Sequence, residues 1–222
     1  VHEPGGGRSA TDTLYNRTID LIMSRRHVKS GGGLLPSGYR QLEYIEANGT
    51  QYIKTNITGV NQDYSFVVDM TISSAGFGGL YGIYNVGGND RIAAFIGHTT
   101  GRIDYVCGST GYKTTTTALP RDTRYTIYSY PTKFVINGVE YSKSKADITT
   151  SNPLMLLSFL VWRNDNTGHY GKLHEAWVYD DSDSLVLHGI PALLEADSKP
   201  GLYDVVSDTF HTNAGTGEFL YA

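Results

Sequence analysis

The sequence predicts an all-β domain of antiparallel strands behind a short helical arm. Three observations point there. From Tyr39 onward, apolar and polar residues alternate with a period of two in one short segment after another. Turns rich in Gly, Asn and Asp separate these segments. Tyrosine, which suits strands and half-wet surfaces, is abundant at 17 residues against 7 Phe. About a dozen such strands joined by polar turns make an antiparallel sandwich or barrel.

Residues 1–33 read differently from the rest. Gly5-Gly6-Gly7 and Gly31-Gly32-Gly33 flank a segment in which Tyr15, Ile19, Ile22 and Met23 form one apolar stripe at helical spacing. Thr11 or Asp12 suits its N-cap, and Arg25, Arg26, His27 and Lys29 sit where cations favour a helix C-terminus. A lone helix of this length is marginal in water, so the stripe needs a surface to lie against. Two readings stay open: a helix packed on its own domain or a disordered leader, and a docking or oligomerising arm on glycine hinges.

The sandwich is expected over residues 34–222. Its clearest strand is 64–72, with Phe66, Val68, Met70 and Ile72 on one side and Ser65, Asp69 and Thr71 on the other. Further strands are expected at 51–55, 80–86, 92–96, 102–107, 124–130, 133–137, 139–142, 154–160, 172–179, 185–188 and 202–206. Asn137-Gly138 between two apolar runs predicts a type I′ hairpin, because both central residues need positive φ. Residues 87–90, 108–111 and 164–168 read as loops, and 191–196 as a short helical turn. On strand 172–179, Ala176 and Val178 share one side while Leu173, Glu175, Trp177 and Tyr179 share the other. If Ala176 and Val178 face the core, Trp177 stands on an outer face as a sugar platform or subunit contact. In the opposite sense Trp177 is core.

The composition narrows the function. At 222 residues the chain suits one sandwich-sized domain plus an extension, and 40% hydrophobic residues suffice for a core. A net charge of −4 argues against nucleic acid, whose phosphates require clustered Lys and Arg. No apolar run approaches the ~20 residues that span a bilayer. The chain opens on Val1 without a signal-peptide pattern, which suggests that an initiator Met or a longer leader has been removed. Cys107 is the single cysteine, so no internal disulfide is available.

Several stretches carry a family resemblance. Phe134-Val135-Ile136-Asn137-Gly138, with the later Tyr170-Gly171-Lys172-Leu173 and Val178-Tyr179-Asp180, resembles the end of concanavalin A-like, laminin-G-like sandwiches. Leu35-Pro36-Ser37-Gly38-Tyr39 with Leu42-Glu43-Tyr44-Ile45-Glu46, Gly49-Thr50-Gln51-Tyr52-Ile53, Gly201-Leu202-Tyr203-Asp204 and Asn213-Ala214-Gly215-Thr216-Gly217 look like modules of bacteriophage and prophage structural proteins and gut-bacterial surface proteins. The likeness covers residues 35–220. It implies a two-sheet antiparallel jelly-roll sandwich with one concave face on which relatives bind carbohydrate. It specifies architecture better than activity.

No catalytic arrangement stands out. Glycosidases of this superfamily carry Glu, Asp and Glu at alternating positions of one strand, and no such run occurs here. Glu43 and Glu46 are three apart and fall on opposite sides of a strand. His174-Glu175 opens like a zinc-protease motif, but Val178 stands where its second His belongs and the segment reads as a strand. No Gly-x-Ser-x-Gly elbow or phosphate loop is present. Asp180, Asp181 and Asp183 offer oxygen ligands for calcium, although a solvated turn explains them more simply. Otherwise no cofactor is expected.

Trp162, Arg163, Asn164, Asp165, Asn166, His169 and Tyr170 place aromatic, planar-cationic and amide groups on one long turn, a mixture suited to sugars. With Trp177 they form the expected ligand-binding set. The bland alternative for this turn is a hairpin loop with Trp162 tucked over the sandwich edge.

The expectation is therefore a non-enzymatic structural or adhesion module of a virion (head fibre or tail) or an extracellular cell surface, carbohydrate-binding through its sandwich. Residues 1–33 would dock it on other virion or surface proteins or on further copies of itself. The alternatives are a ligand-free capsid, fibre or tail component, and a glycan-active enzyme with two carboxylates facing each other in a groove.

Overall fold

The computed structural model describes residues 34–73, 78–84, 91–96, 101–108, 113–114, 117–148, 150–158 and 170–222. The chain divides into Val1–Leu34 and Leu35–Ala222, and the second unit is the sandwich. The stripe Tyr15, Ile19, Ile22 and Met23 lies outside the described residues.

The strands, in chain order, are β1 (Tyr39–Gln41), β2 (Ile45–Asn48), β3 (Ile53–Lys54), β4 (Ser65–Ile72), β5 (Gly78–Tyr84) and β6 (Arg91–Ile96). They continue with β7 (Ile103–Cys107), β8 (Lys113–Thr114), β9 (Thr123–Ser129), β10 (Lys133–Ile136), β11 (Val139–Ser142) and β12 (Met155–Leu156). The last are β13 (Tyr170–Tyr179), β14 (Leu185–Leu194), β15 (Lys199–Asp204), β16 (Thr209–Thr212) and β17 (Leu220–Tyr221). No helix occurs among the described residues, so none there is long and apolar enough to cross a membrane.

Two antiparallel sheets result. The larger, of 11 strands, runs β11-β10-β9-β4-β13-β14-β15-β16, with β1 on β14 and β2 between β13 and β17. The smaller, of 6 strands, runs β3-β12-β5-β6-β7-β8. This is the two-sheet jelly-roll sandwich the sequence predicts.

The core lies between the sheets. Phe66, Val68, Met70 and Ile72 of β4, Ile127 of β9, and Leu173, Ala176 and Val178 of β13 pack against Tyr81, Ile83, Ile92, Ile96, Ile103 and Tyr105 of the smaller sheet. The Phe66 ring stacks on Tyr81 at 4.2 Å and 14° and so ties the central strand of one sheet to the other. Ala176 and Val178 thus face inward, and Trp177 and Tyr179 point to the outer face. Yet β4 and β13 are largely buried on that face too: Val67 and Trp177 are each 1% exposed.

Residues 191–196 do not form a helical turn. Pro191 lies inside β14, opposite Leu202 of β15, and its carbonyl accepts from the Leu42 N–H at 2.9 Å just beyond the end of β1. The side on which proline lacks a donor therefore meets the end of a short strand, where no ladder bond is needed. The bracketing motifs meet at a clasp. β17 pairs with β2, Glu43 N–H donates to Ala222 O at 2.6 Å, and Asn213 Oδ1 accepts from Tyr52 N at 3.0 Å and Gly215 N at 2.9 Å.

The Asn137-Gly138 turn has the expected geometry, with φ of 50° and 77° between Ile136 and Val139, the last rung of the β10–β11 ladder. A Cβ at Gly138 would meet nothing within 4 Å. Gly138→Ala therefore isolates the backbone cost and should lower stability by about 1 kcal/mol in urea denaturation.

Candidate functional site

The outer face of the large sheet is organised by one extra residue. In the β13–β4 ladder Leu173 pairs with Met70 and Glu175 with Asp69, so His174 is bulged out. A bulge turns both of its residues toward one face, and here His174 and Glu175 join the outward side chains.

Register then sets which groups meet. Thr71 pairs with Arg124 of β9 and with Lys172 of β13; Lys172 pairs with Glu46 of β2, and Glu46 with Leu220 of β17. The next row holds Thr126, Asp69 and Glu175, and the one after it Tyr128, Val67, Trp177 and His188.

Asp69 and Arg124 form a two-pronged pair, Arg124 Nε and Nη2 each 2.8 Å from one carboxylate oxygen. Both oxygens are occupied, and the guanidinium stays half open, at 52% exposure against 12% for Asp69. The hydrogen bond to Asp69 holds Arg124 above the usual arginine range.

His174 bridges two elements. A backbone carbonyl can only accept, so Nδ1, 3.1 Å from Glu43 O, carries the proton and donates. Nε2 then accepts from the Thr71 hydroxyl at 2.9 Å. Burial, reinforced by the Arg124 charge and opposed by Asp69, holds the imidazole below its usual range. Beside it, Lys172 Nζ lies 4.0 Å from the centre of the Tyr44 ring. The hydrogen bond to Tyr44, with Glu46 and Glu43 nearby, keeps that ammonium charged above its usual range.

Exposure falls along β13. Tyr170, at its start, is 37% exposed and lies against Gly49, where any Cβ would strike the tyrosine ring. Lys172 is half-buried. Trp177 is enclosed and stacks on His188 at 5.4 Å and 14°, while His188 Nε2 donates to Glu175 Oε1 at 2.6 Å. The indole Nε1 of Trp177 has no hydrogen-bond partner among the described residues.

Of the residues expected to bind ligand, Tyr170 and Trp177 thus share the outer face, one at its open end and one enclosed. A ring buried in this way does not offer its face to a sugar. Trp162, Arg163, Asn164, Asp165, Asn166 and His169 lie outside the described residues. Near Asp180, one carboxylate oxygen accepts from Ser182 N at 2.9 Å, Ser182 Oγ at 2.8 Å and Ser184 N at 2.8 Å. Asp181 accepts from Asn61 at 2.8 Å. Among the described residues, no three His, Cys, Asp or Glu side chains converge as a metal site.

Tyr44, Arg124 and Lys172 were not singled out by sequence reasoning. Register brings Arg124 and Lys172 to either side of Thr71, and Tyr44 joins them by packing under the Lys172 ammonium. The outward placement of Asp69 and Thr71 was readable from the alternation.

No protein-family model and no curated protein matches the sequence. Solved structures resemble the fold. Domains LG4-5 of the mouse laminin α1 chain superpose with a TM-score of 0.51 at 13% identity, covering 66% of this chain and 44% of that one. A Bacteroides ovatus protein assigned as carbohydrate-binding gives 0.57 at 12%, covering 82% and 60%. The native heptameric SAP-like pentraxin of Limulus polyphemus gives 0.51 at 7%, covering 83% and 94%. The chain therefore spans less than two thirds of the length of the first two. All three are concanavalin A-like sandwiches, and at these identities they show the fold alone.

The neutral form of His174 is favoured by folding, so its contribution is complete above the unfolded value near 6.5 and is lost as pH falls below it toward the folded value. His211, also depressed by burial, acts in the same direction. Imidazole NMR should place His174 below 6.5, and Arg124→Met should move it upward by removing the repelling cation.

Proposed function

We propose that this sandwich is a non-enzymatic carbohydrate-binding module, taking its glycan at the open end of the outer face around Tyr170, Lys172, Tyr44 and Arg124. The observation that carries this reading is the register row itself. It sets Arg124, Thr71, Lys172 and the carboxylate of Glu46 side by side, and Lys172 in turn holds the half-buried Tyr44 ring, just before β2, 4.0 Å from its ammonium. Sugars are held by such sets: rings cover their C–H faces while planar and charged groups take their hydroxyls. Groups fixed by a ladder lose little freedom on binding. The resemblance to a Bacteroides ovatus protein assigned as carbohydrate-binding supports the same reading.

Asp69 and Glu175 stand opposite each other on adjacent strands, and a glycosidase also needs two carboxylates facing one bond. Asp69, however, has both oxygens on Arg124, and Glu175 accepts from His188. Neither is placed to deliver a proton to a leaving group, which supports binding over turnover. Display on a virion or cell surface, with residues 1–33 docking the module on other proteins or on further copies, rests on the apolar stripe between glycine hinges and on the phage-like bracketing motifs.

Glycan-array screening followed by calorimetry tests this. Tyr44→Ala and Lys172→Ala should each weaken binding about tenfold, close to 1.4 kcal/mol, whereas Val139→Ala on the far strand β11 should not change it. Absence of binding on a broad array would favour the ligand-free structural part. Release of reducing ends would favour the enzyme.

A further inference from the structure

After β11 the chain leaves the edge of the large sheet and crosses toward the small one. Residues 143–148 of this crossing join no ladder; side chains and single bonds hold them down. Lys143 N–H donates to Thr132 O at 2.8 Å. Lys145 Nζ reaches Asp63 at 2.5 Å on the surface. Ala146 N–H points at Cys107 Sγ, 3.4 Å away, and the thiol points back at Ala146 O at 3.5 Å. Ile148 N–H donates to Gln62 Oε1 at 2.8 Å.

The innermost anchor is unusual. Lys143, 8% exposed, enters the space between the sheets. Its Nζ donates to Ser129 Oγ of β9 at 2.8 Å. It lies 4.4 Å from the Tyr105 ring centre of β7 and 4.9 Å from that of Phe134 of β10. Ser129 Oγ is also bonded to the Tyr81 hydroxyl of β5. Among the described residues, the titratable groups facing the amine are thus Tyr81, Tyr105 and Cys107, and none is a carboxylate. An ammonium has three N–H donors and here meets one oxygen and two ring faces. Buried charge is ordinarily paired.

We propose that residues 143–148 are a charge-sprung strap: the Lys143 amine, which meets no carboxylate among the described residues, makes this crossing detach from the intact sandwich, uncovering Cys107, before the rest of the domain unfolds. Closed, the strap holds the amine in an apolar setting that favours its neutral form; open, the amine returns to water and takes a proton. Consistent with this, burial pushes Lys143 down to about 7 from an ordinary 10.5. The sign follows. Closure releases a proton, so between about 10.5 and 7 each unit of falling pH weakens closure up to tenfold, and below 7 the effect levels off. Near neutrality the strap therefore opens more readily than the ladders beside it.

Cys107 is the chain's single cysteine, fully buried and bonded to the strap, so its labelling reports opening. The full chain is treated with a maleimide at pH 7 to 9, rates are corrected for thiolate, and global stability is measured separately in urea. The wild type should label faster than global unfolding allows, and the corrected rate should fall as pH rises. Lys143→Met, similar in length and uncharged, should label at least tenfold more slowly at pH 7 with no such slope. Ser129→Ala, which removes the oxygen that accepts from the amine, should label faster. Equal rates in wild type and Lys143→Met, no labelling of the folded wild type, or labelling that tracks global unfolding would each overturn the strap.

Discussion

The ladder between β4 and β13 fixes the core and the outer face together. Because side chains alternate with a period of two, one slip of register would send Phe66, Val68 and Met70 outward and bring Asp69 into the core. Phe66 resists this slip directly, since its ring is matched to Tyr81 on the other sheet. The bulge at His174 is the one irregularity in the middle of this ladder. It lets Leu173 and Ala176, three apart, both face inward while His174 and Glu175 face outward. The packing requirement of the core thereby produces the crowding of polar groups on the opposite side.

That crowding has an electrostatic logic. Where the sheet is buried on both faces, polar groups are held mostly by partners in its plane, the Trp177 indole N–H being left without one among the described residues. Asp69 does so through a fork to Arg124, His174 through a carbonyl and a hydroxyl, and Glu175 through His188. Lys143, between the sheets, meets no carboxylate among the described residues and relies on a hydroxyl and two aromatic faces. The molecule thus handles buried charge in two ways, by pairing on the outer face and by favouring the neutral amine in the core.

Much of the architecture was legible in the sequence. The alternation over 64–72 gave the inward set Phe66, Val68, Met70 and Ile72 correctly, and Asn137-Gly138 specified its hairpin, because both signals are local. Pro191 was misread: a proline in a Leu- and Ala-rich run looks helical, and only knowing that its neighbour β1 is short and ends there makes it acceptable in a strand. Very short strands such as β1 and β17 carry no periodicity and were invisible for that reason, although β3 fell within the strand expected at 51–55. The candidate site was half legible. Alternation told which residues of 172–179 share a side, but which of Arg124, Thr71, Lys172 and Glu46 become neighbours depends on register between distant segments.

The clasp between β17 and β2 carries a different kind of consequence. With Glu43 and Ala222 joined by a hydrogen bond and Ile45 paired with Tyr221, β17 is laid directly on one of the first strands. Segments far apart along the sandwich sequence therefore wait for each other. This edge closes only after the stretch between them is in place, the kind of long-range pairing that makes folding slow and concerted.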